Sequence, residues 1–353
     1  MKGLNKRLLL LPVIVLLFAS CRSFPSHEPE QVYLISAFGF DARNGRLRVC
    51  AEVPLTRENE ADKMEVRLFE GVGDSPRDAL RKIETGLSKE LLFGHCALVI
   101  LGDGLTSEQH IEILQFLATG KTVPLSAVVV SAPDAHDLLG SGSLSAPAAG
   151  YEIPGILRGQ MDSMGMDPCC RLYEISASPA GSVVAYPRFL PANEETGESD
   201  CFDGLRFFRD GKAIADIRAE DCVAYALLSG RFSGCHGSVA SLGGAELGNV
   251  RRRWQAEWRG DSLILTLKCG MSAFVTLPSP VPERLAADLQ RQTEALFAQI
   301  ARTTNADVFG IAEQLKLDCP NLPHQGEGDL IAALQGASLR VVCRVEGKES
   351  GKQ

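Results

Sequence analysis

Cys21 is the residue whose type and position point most directly to chemistry, namely the attachment of a lipid to its thiol. The small residues Ala19 and Ser20 stand directly before it, at the end of an apolar run over 8–19. Small side chains let a peptidase close around an extended backbone, and a cysteine in the next position can take a diacylglyceryl group before cleavage exposes its amine. The sequence therefore predicts a lipidated mature N-terminus at Cys21. The alternative is an ordinary cleaved signal with a chance cysteine.

The length of the apolar run over 8–19 indicates an export signal and not a membrane-spanning helix. A helix needs about 20 apolar residues to cross a bilayer, and this run is shorter. Basic residues, then an apolar stretch, then small residues are the layout of a signal peptide, which we predict over 1–20. Acyl chains would anchor the mature chain stably, because each buried CH₂ contributes about 0.8 kcal/mol.

The other reactive residue types form no pattern that is typical of an enzyme. The sequence contains no GxSxG nucleophile elbow, no HExxH, no GxxxxGKS phosphate loop and no GxGxxG between a strand and a helix. The six histidines are scattered, and Cys235 and His236 stand together in a glycine-rich stretch. Adjacent residues in such a stretch rarely hold the geometry of proton transfer. We therefore predict no catalytic residue, no metal site and no cofactor, and a protein that works by binding or assembly.

Composition bounds the number of domains and the class of partner. The chain is 45% apolar and 23% charged, as in ordinary globular proteins, and the roughly 330 residues after the signal predict two or three domains. A net charge of −8 argues against nucleic acid and against anionic lipid headgroups as partners through bulk charge. The arginine triplet 251–253, flanked by Trp254 and Trp258, is a local exception. It could suit a phosphate or a membrane surface, or it could be a solvated strand edge.

The cysteines show no spacing that predicts a metal site or a disulfide framework. Of the 11 cysteines, ten remain beside Cys21, and none of them forms a CxxC pair. Export would permit disulfides, but several of these cysteines lie in strand-like runs, where a thiol behaves as a small buried hydrophobe. We expect mostly free, buried thiols.

Hydrophobic patterns predict an N-terminal α/β domain over 32–132, preceded by a polar tether over 21–31. The apolar run 32–40 and the alternating run 47–53 flank Asn44-Gly45, which predicts a hairpin. The further predicted elements are a helix capped by Ser75 with Leu80, Ile83, Leu87 and Leu91 on one face, a strand over 96–101, a helix from Ser107 with Ile111, Leu114 and Leu117 inward, and a strand over 127–130. This order of elements implies a mixed sheet covered by helices.

The hydrophobic pattern is weak over 133–200, and a second ordered region follows over 201–348. We expect loops and a small intermediate module in the first stretch, and a C-terminal α/β domain in the second. The C-terminal elements are predicted as strands over 205–208, 214–217, 263–267 and 339–345, a short helix over 221–229 and a long amphipathic helix from Pro282. The sequence therefore predicts a multi-domain α/β (α+β) fold with mixed β-sheets flanked by helices.

Four segments resemble, in order, motifs of the Ger(x)C family, the C subunits of the nutrient receptors that trigger germination of bacterial endospores. They are 38–41 (FGFD), 90–102 (ELLFGHCALVILG) with Phe93, Gly94 and His95, 205–215 (LRFFRDGKAIA) with the helix after it, and 305–310 (NADVFG) with Asp307 and Gly310. The resemblance covers nearly the whole mature chain. It departs from the family at Ala215, where glycine is usual, and in lacking the tryptophan that often follows the lipidated cysteine.

The resemblance implies a lipid-anchored, three-domain α/β subunit on the outer surface of the spore inner membrane. It would assemble with the two integral-membrane subunits of the receptor, A and B, and contribute to signalling by a shift between conformational states. The family supplies no catalytic or cofactor-binding residues. Its motif positions could form an interface with these subunits or maintain the fold; they are Phe93, Gly94, His95, Asp307 and Gly310.

Two other classes of protein remain as alternatives. A solute-binding lipoprotein of a membrane transporter would need two similar lobes around a cleft, and the sequence lacks the repeated βα units from which such lobes are usually built. A lipid-anchored envelope hydrolase would need a nucleophile that no motif supplies.

Overall fold

The computed structural model describes residues 31–57, 60–120, 123–140, 148–178, 181–191, 201–232, 234–236, 245–275, 281–322 and 327–349. The predicted signal peptide, Cys21 and the following residues through 30 lie outside the described part of the chain. Within that part, no helix is both long enough and apolar enough to pass through a membrane.

The first part of the described chain, through residue 190, mixes strands and helices. Its strands are β1 (Val32–Leu34), β2 (Ala37–Arg43), β3 (Arg46–Arg57), β4 (Glu60–Gly73), β5 (Glu90–Leu92), β6 (Leu98–Gly102), β7 (Val128–Ala132), β8 (Cys170–Arg171) and β9 (Val183–Leu190). Its helices are α1 (Pro76–Thr85), α2 (Ser107–Thr119), α3 (Ala135–Gly140), α4 (Ala149–Met164) and α5 (Leu172–Ala177).

The second part begins with a strand pair and ends with a strand. Its strands are β10 (Cys201–Arg209), β11 (Lys212–Arg218), β12 (Cys235–His236), β13 (Ala245–Arg259), β14 (Ser262–Val275) and β15 (Ser338–Glu349). Its helices are α6 (Cys222–Ser229), which follows a 3₁₀ turn at Ala219–Asp221, α7 (Val281–Thr303), α8 (Ile311–Asp318) and α9 (Glu327–Gly336).

A nine-stranded mixed sheet forms the centre of the molecule. Its strand order is β11-β10-β9-β7-β6-β2-β3-β4, with β8 beside β7. The central strands β2, β6 and β7 run parallel to one another. β6 and β7 are buried along their whole lengths, as expected for parallel strands that are covered on both faces. The predicted fold class, mixed β-sheets flanked by helices, is confirmed.

The predicted hairpin near the N-terminus is also confirmed. β2 and β3 pair antiparallel up to Arg43 and Arg46. Asn44 and Gly45 have φ values of 53° and 77°, as a two-residue hairpin turn requires. β3 then pairs with β4, a long edge strand that the sequence patterns did not predict.

Helix α1 begins where the sequence predicted and ends earlier than its predicted face requires. Ser75 Oγ accepts the backbone N–H of Asp78 at 3.1 Å, which caps the start of the helix. The helix ends at Thr85, so Leu87 and Leu91, predicted on its inward face, lie beyond it. Leu91 belongs to β5 instead.

Helix α2 confirms the predicted start at Ser107 and corrects the predicted inward face. The buried residues of α2 are His110, Ile113 and Leu117, which are spaced by three and four. Ile111, predicted to point inward, is 39% exposed, because one step along a helix turns the side chain by about 100°.

The described residues of the stretch 133–200, predicted as loops and a small module, form three helices and two strands. Helix α4 carries Pro154 and three glycines, which weakens its pattern because these residues are poor helix formers. β9 joins the large sheet and continues it into β10 and β11. Strands from all three predicted segments therefore share one sheet, and the boundaries at 132 and 200 stay a prediction.

A buried carboxylate on β3 fixes the start of α4. Glu52 is fully buried. It accepts hydrogen bonds from the Ser36 hydroxyl at 2.6 Å and from the backbone N–H groups of Ala149 at 2.7 Å and Gly150 at 2.9 Å. Burial raises the pKa of Glu52, and the three donors oppose that shift. The contact holds α4 against the sheet.

A separate four-stranded sheet has the order β12-β13-β14-β15. Helix side chains bind the backbone at both of its long outer strands. On β15, the N–H of Val341 donates to Glu294 at 2.7 Å and its carbonyl accepts from Gln290 at 2.9 Å, both on α7. On β13, the N–H of Trp254 donates to Asp318 of α8 at 2.8 Å. These contacts cover strand edges that would otherwise be open to pairing.

Ionic contacts reinforce the large sheet where β7 meets β9. These two strands share a single residue pair in register, Ser131 with Arg188. The Arg188 guanidinium lies 3.0 Å from the carboxylate of Asp103, just after β6, and 2.5 Å from that of Asp203 on β10. Arg206 on β10 pairs with the same Asp103. One carboxylate therefore binds arginines of two strands across the junction.

Candidate interaction surface

The family-like segment 90–102 forms β5, β6 and the turn between them. Phe93 is half-buried, and its ring stacks on that of Phe38 in β2 with 5.4 Å between ring centroids. Its carbonyl accepts the backbone N–H of Cys96 at 2.9 Å, which closes the turn. Phe93 therefore holds the turn on the central sheet.

Gly94 and His95 are exposed at the tip of this turn. They line a groove of about 410 Å³ together with Pro124, Arg158 and Arg171. A Cβ atom at Gly94 would meet no other atom within 4 Å, so packing does not demand glycine there. In contrast to Phe93, these two residues are accessible to a partner.

The family-like segment 305–310 forms the loop between α7 and α8, and its aspartate caps α8. Asp307 accepts the backbone N–H of Ala312 at 2.6 Å. Burial raises the pKa of Asp307, and hydrogen bonds from the backbone around Ala312 and Gly310 oppose that shift. Gly310 has a φ of 66°, in the left-handed region that favours glycine. Both positions therefore maintain the geometry of this loop.

A second, larger groove of about 580 Å³ opens beside the same loop, and Asp307 and Gly310 line part of it. Three aromatic rings also line it, with centroids 5.2 Å apart for Phe207 and Tyr225 and 6.2 Å apart for Tyr225 and Phe309. Its walls also carry arginine and glutamate side chains. An apolar base with a few charged groups suits a protein segment or a small ligand.

One segment, 166–171, lies between the two grooves. Cys169 lines both of them, Cys170 lines the larger and Arg171 lines the smaller. The family-like segments 90–102 and 305–310, far apart in the sequence, therefore flank one continuous area. We call it the two-groove surface and define it as the turn 93–96, the segment 166–171 and the loop 305–310.

Asp134, His136 and Asp137 form the one cluster in the described part of the chain whose ligand atoms lie close enough to hold a metal ion. Its groups already have partners. The Asp134 carboxylate lies 2.6 Å from the guanidinium of Arg48, and His136 Nε2 lies 2.8 Å from a carboxylate oxygen of Glu70. Because an arginine already supplies the positive charge, the cluster links α3 to the sheet.

The described cysteines are free of disulfides and mostly buried, which agrees with the sequence-based expectation. Burial raises the pKa of Cys50, Cys96 and Cys169 to about 12. Such thiols are protonated at neutral pH and are poor nucleophiles, since the thiolate is the reactive form. The backbone of Cys235 and His236 forms β12, and their side chains lie outside the described part.

The sequence identified the segments 90–102 and 305–310 but not the surface that joins them. Arg158, Cys169 and Arg171 belong to the stretch in which the helical pattern was weak. No spacing in the sequence relates them to His95, because the packing of α4 and β8 against β6 and β7 creates the proximity. The adjacent cysteines 169 and 170 were the one unusual feature of that segment.

Comparisons with known proteins bear on this architecture. Residues 25–178 match a family model described as the spore germination protein N-terminal domain, and the family-like segments 38–41 and 90–102 lie inside that match. The crystal structure of the GerBC protein has the same fold, with a TM-score of 0.51 and 11% sequence identity over 88% of this chain and 96% of that chain. No curated protein matches the sequence significantly. The chain therefore carries a spore germination protein N-terminal domain over 25–178 and shares the fold of GerBC over most of its length.

Proposed function

We propose that this chain is the lipid-anchored C subunit of a nutrient germinant receptor and that it acts by subunit assembly and conformational signalling, without bond chemistry. The observation that carries the proposal is the spore germination domain over 25–178, on a fold shared with GerBC over nearly the whole chain. Cys21 stands just before the matched residues. A lipid at that position would hold the domain at the outer surface of the spore inner membrane.

The partners in this proposal are the integral-membrane A and B subunits, and the two-groove surface is the contact area that we assign to them. Its residues Gly94 and His95 are exposed, and packing does not demand glycine at position 94, whereas Phe93, Asp307 and Gly310 maintain the fold. Arginines, glutamates and aromatic rings around the grooves supply the mixed polar and apolar contacts that protein interfaces use.

The anchor is tested with Cys21→Ser, and Cys201→Ser is the matched control because it removes an exposed thiol far along the chain. We expect Cys21→Ser to leave the membrane fraction of disrupted spores, to lack incorporated acyl chains and to impair nutrient-triggered germination. Cys201→Ser should remain in the membrane and germinate normally. An acyl-free Cys21→Ser protein that still sediments with the membrane and supports germination would contradict the anchor.

The assembly is tested by co-purification of the A and B subunits from spore membranes with the lipidated chain. His95→Ala removes an exposed side chain, so we expect a change in unfolding free energy of no more than about 0.5 kcal/mol but a clear loss of the co-purified subunits. Glu283→Ala, an exposed residue of α7, is the control. Wild-type protein that never co-purifies with A and B, but does so with a transporter, would favour the solute-binding alternative.

A further inference from the structure

The outer face of the four-stranded sheet is strongly basic, although the chain carries a net charge of −8. The strand register arranges this face in three rows across β13, β14 and β15. The rows are Arg251, Gly270 and Arg344, then Arg253, Lys268 and Val342, then Gln255, Thr266 and Arg340. Five of these nine residues are basic and none is acidic. We call them the basic face.

The five basic side chains of this face are exposed. The residues that alternate with them point into the core, as Trp254, Leu267 and Val341 show by being buried, so the two sides of the sheet are distinct. None of the five basic residues forms an ion pair with another described residue. Arg252 differs, because it is turned inward and donates to the carbonyls of Leu227 and Leu228 at the end of α6.

Among the described residues, acidic side chains stand only at the ends of the basic face. Glu257, in the next row, lies 2.6 Å from Arg259, and Glu346 lies beyond Arg344 at the other end. The central area measures about 10 Å by 13 Å from strand and residue spacings. Within it, Arg253 stands directly opposite Lys268. Like charges in such pairs destabilise a sheet, so an anionic surface laid against them would relieve the repulsion.

The position of the basic face in the fold leaves it open to a large flat partner. Its sheet is covered on the inner side by the core, and helix side chains bind its edges at Val341 and Trp254. Among the described residues, the outer face is therefore the part of this sheet that is free for an external contact.

We propose that the basic face docks on the anionic phospholipid headgroups of a membrane. Arginine and lysine side chains at this density, with no acidic residue among the nine, suit the phosphate groups of lipids. The proposal rests on the proposed function only for the presence of a membrane beside the chain. Together with the lipid at Cys21, a second contact would fix the orientation of the body over the bilayer and hence the direction of the two-groove surface.

The test uses the mature chain, residues 21–353, with Cys21→Ser, so that no lipid contributes to binding. Its binding is measured by co-sedimentation with phosphatidylcholine vesicles with and without phosphatidylglycerol, at low and at high salt. We expect the protein to bind only the vesicles that contain phosphatidylglycerol, and we expect high salt to weaken this binding. Arg251→Glu/Arg253→Glu should weaken it at least about tenfold, since each basic residue near an anionic surface contributes separately. Arg340→Glu/Arg344→Glu should weaken binding to a similar extent. Thermal unfolding of each variant checks that it is folded.

The matched control is Arg77→Glu/Arg302→Glu, which changes the charge equally at exposed arginines of α1 and α7 and should bind like the parent. Equal loss in this control would reduce the effect to net charge and overturn the proposal. Absence of vesicle binding by the parent would also overturn it, and loss of A and B co-purification in the basic-face variants would then assign the face to an acidic protein. Failure of lipidation at Cys21 leaves this result unaffected, so the two proposals can fail separately.

Discussion

At the scale of single residues, burial decides what each ionisable side chain does. His110 is 2% exposed on α2, and its Nε2 lies 3.2 Å from the hydroxyl of Tyr186. Its ring centroid lies 4.7 Å from that of Phe208. Burial lowers the pKa of His110 to about 4, so the histidine is neutral at physiological pH and belongs to an aromatic cluster between α2, β9 and β10.

This burial predicts a dependence of stability on pH. The unfolded chain takes up a proton at His110 near pH 6.5, whereas the folded chain does so only near pH 4. The free energy of unfolding should therefore fall as pH drops from 6.5 towards 4. His110→Gln keeps a group that can bond the Tyr186 hydroxyl and should lose this part of the dependence. Urea unfolding of both proteins at pH 7.5 and pH 5 would measure the change in the free energy of unfolding between these pH values. An equal change in the wild type and in His110→Gln would contradict the prediction.

The sequence indicated which residues are special but not which of them are accessible. His95 and His110 are the same residue type near the same sheet, yet one is exposed and the other buried. Likewise Glu52 lies in a strand where alternation suggested a half-exposed position, but it caps α4 from the interior. Such outcomes depend on which element packs over a position, and no local pattern specifies that.

At the scale of elements, strong local signals predicted structure correctly and weak ones did not. The Asn44-Gly45 hairpin, the capped helix after Ser75 and the long helix α7 all carry their own turn, cap or amphipathic pattern. β4 and α4 carry none of these. β4 gains its place by pairing with β3, and Gly71 lets α1 approach so closely that a Cβ atom there would lie 2.1 Å from the Ala79 carbonyl oxygen.

Helix α8 depends on one buried carboxylate, which gives a prediction at this scale. Asp307→Ala removes the acceptor of the Ala312 N–H and should lower the free energy of unfolding by about 1–2 kcal/mol, as the loss of a helix cap does. Asp307→Asn keeps one acceptor oxygen and should lose less. Urea unfolding of both variants measures the effect. Unchanged stability together with lost co-purification of the A and B subunits would instead make Asp307 an interface residue.

At the scale of the whole molecule, the order of the strands is what the sequence could not supply. The fold class followed from alternating strands and helices, and four motifs in order indicated the family. However, strands β9, β10 and β11 continue the sheet that β2, β6 and β7 begin. That continuity depends on long-range partners such as Asp103 with Arg188 and Arg206. Charged residues so far apart in the sequence carry no mark of being paired.

The shared carboxylate at this junction predicts how cooperatively the molecule unfolds. Both tryptophans, Trp254 and Trp258, lie on β13, so fluorescence reports the four-stranded sheet while circular dichroism reports the whole chain. We expect the two urea transitions to coincide in the wild type.

Asp103→Asn removes one charged partner from each of two partly buried arginines. We expect it to lower the free energy of unfolding by about 1–3 kcal/mol and to separate the two transitions. Asp216→Asn removes an exposed pair of Arg206 but keeps Asp103, so its transitions should stay together. Coincident transitions in Asp103→Asn would show that the four-stranded sheet and the rest of the chain unfold together without this carboxylate.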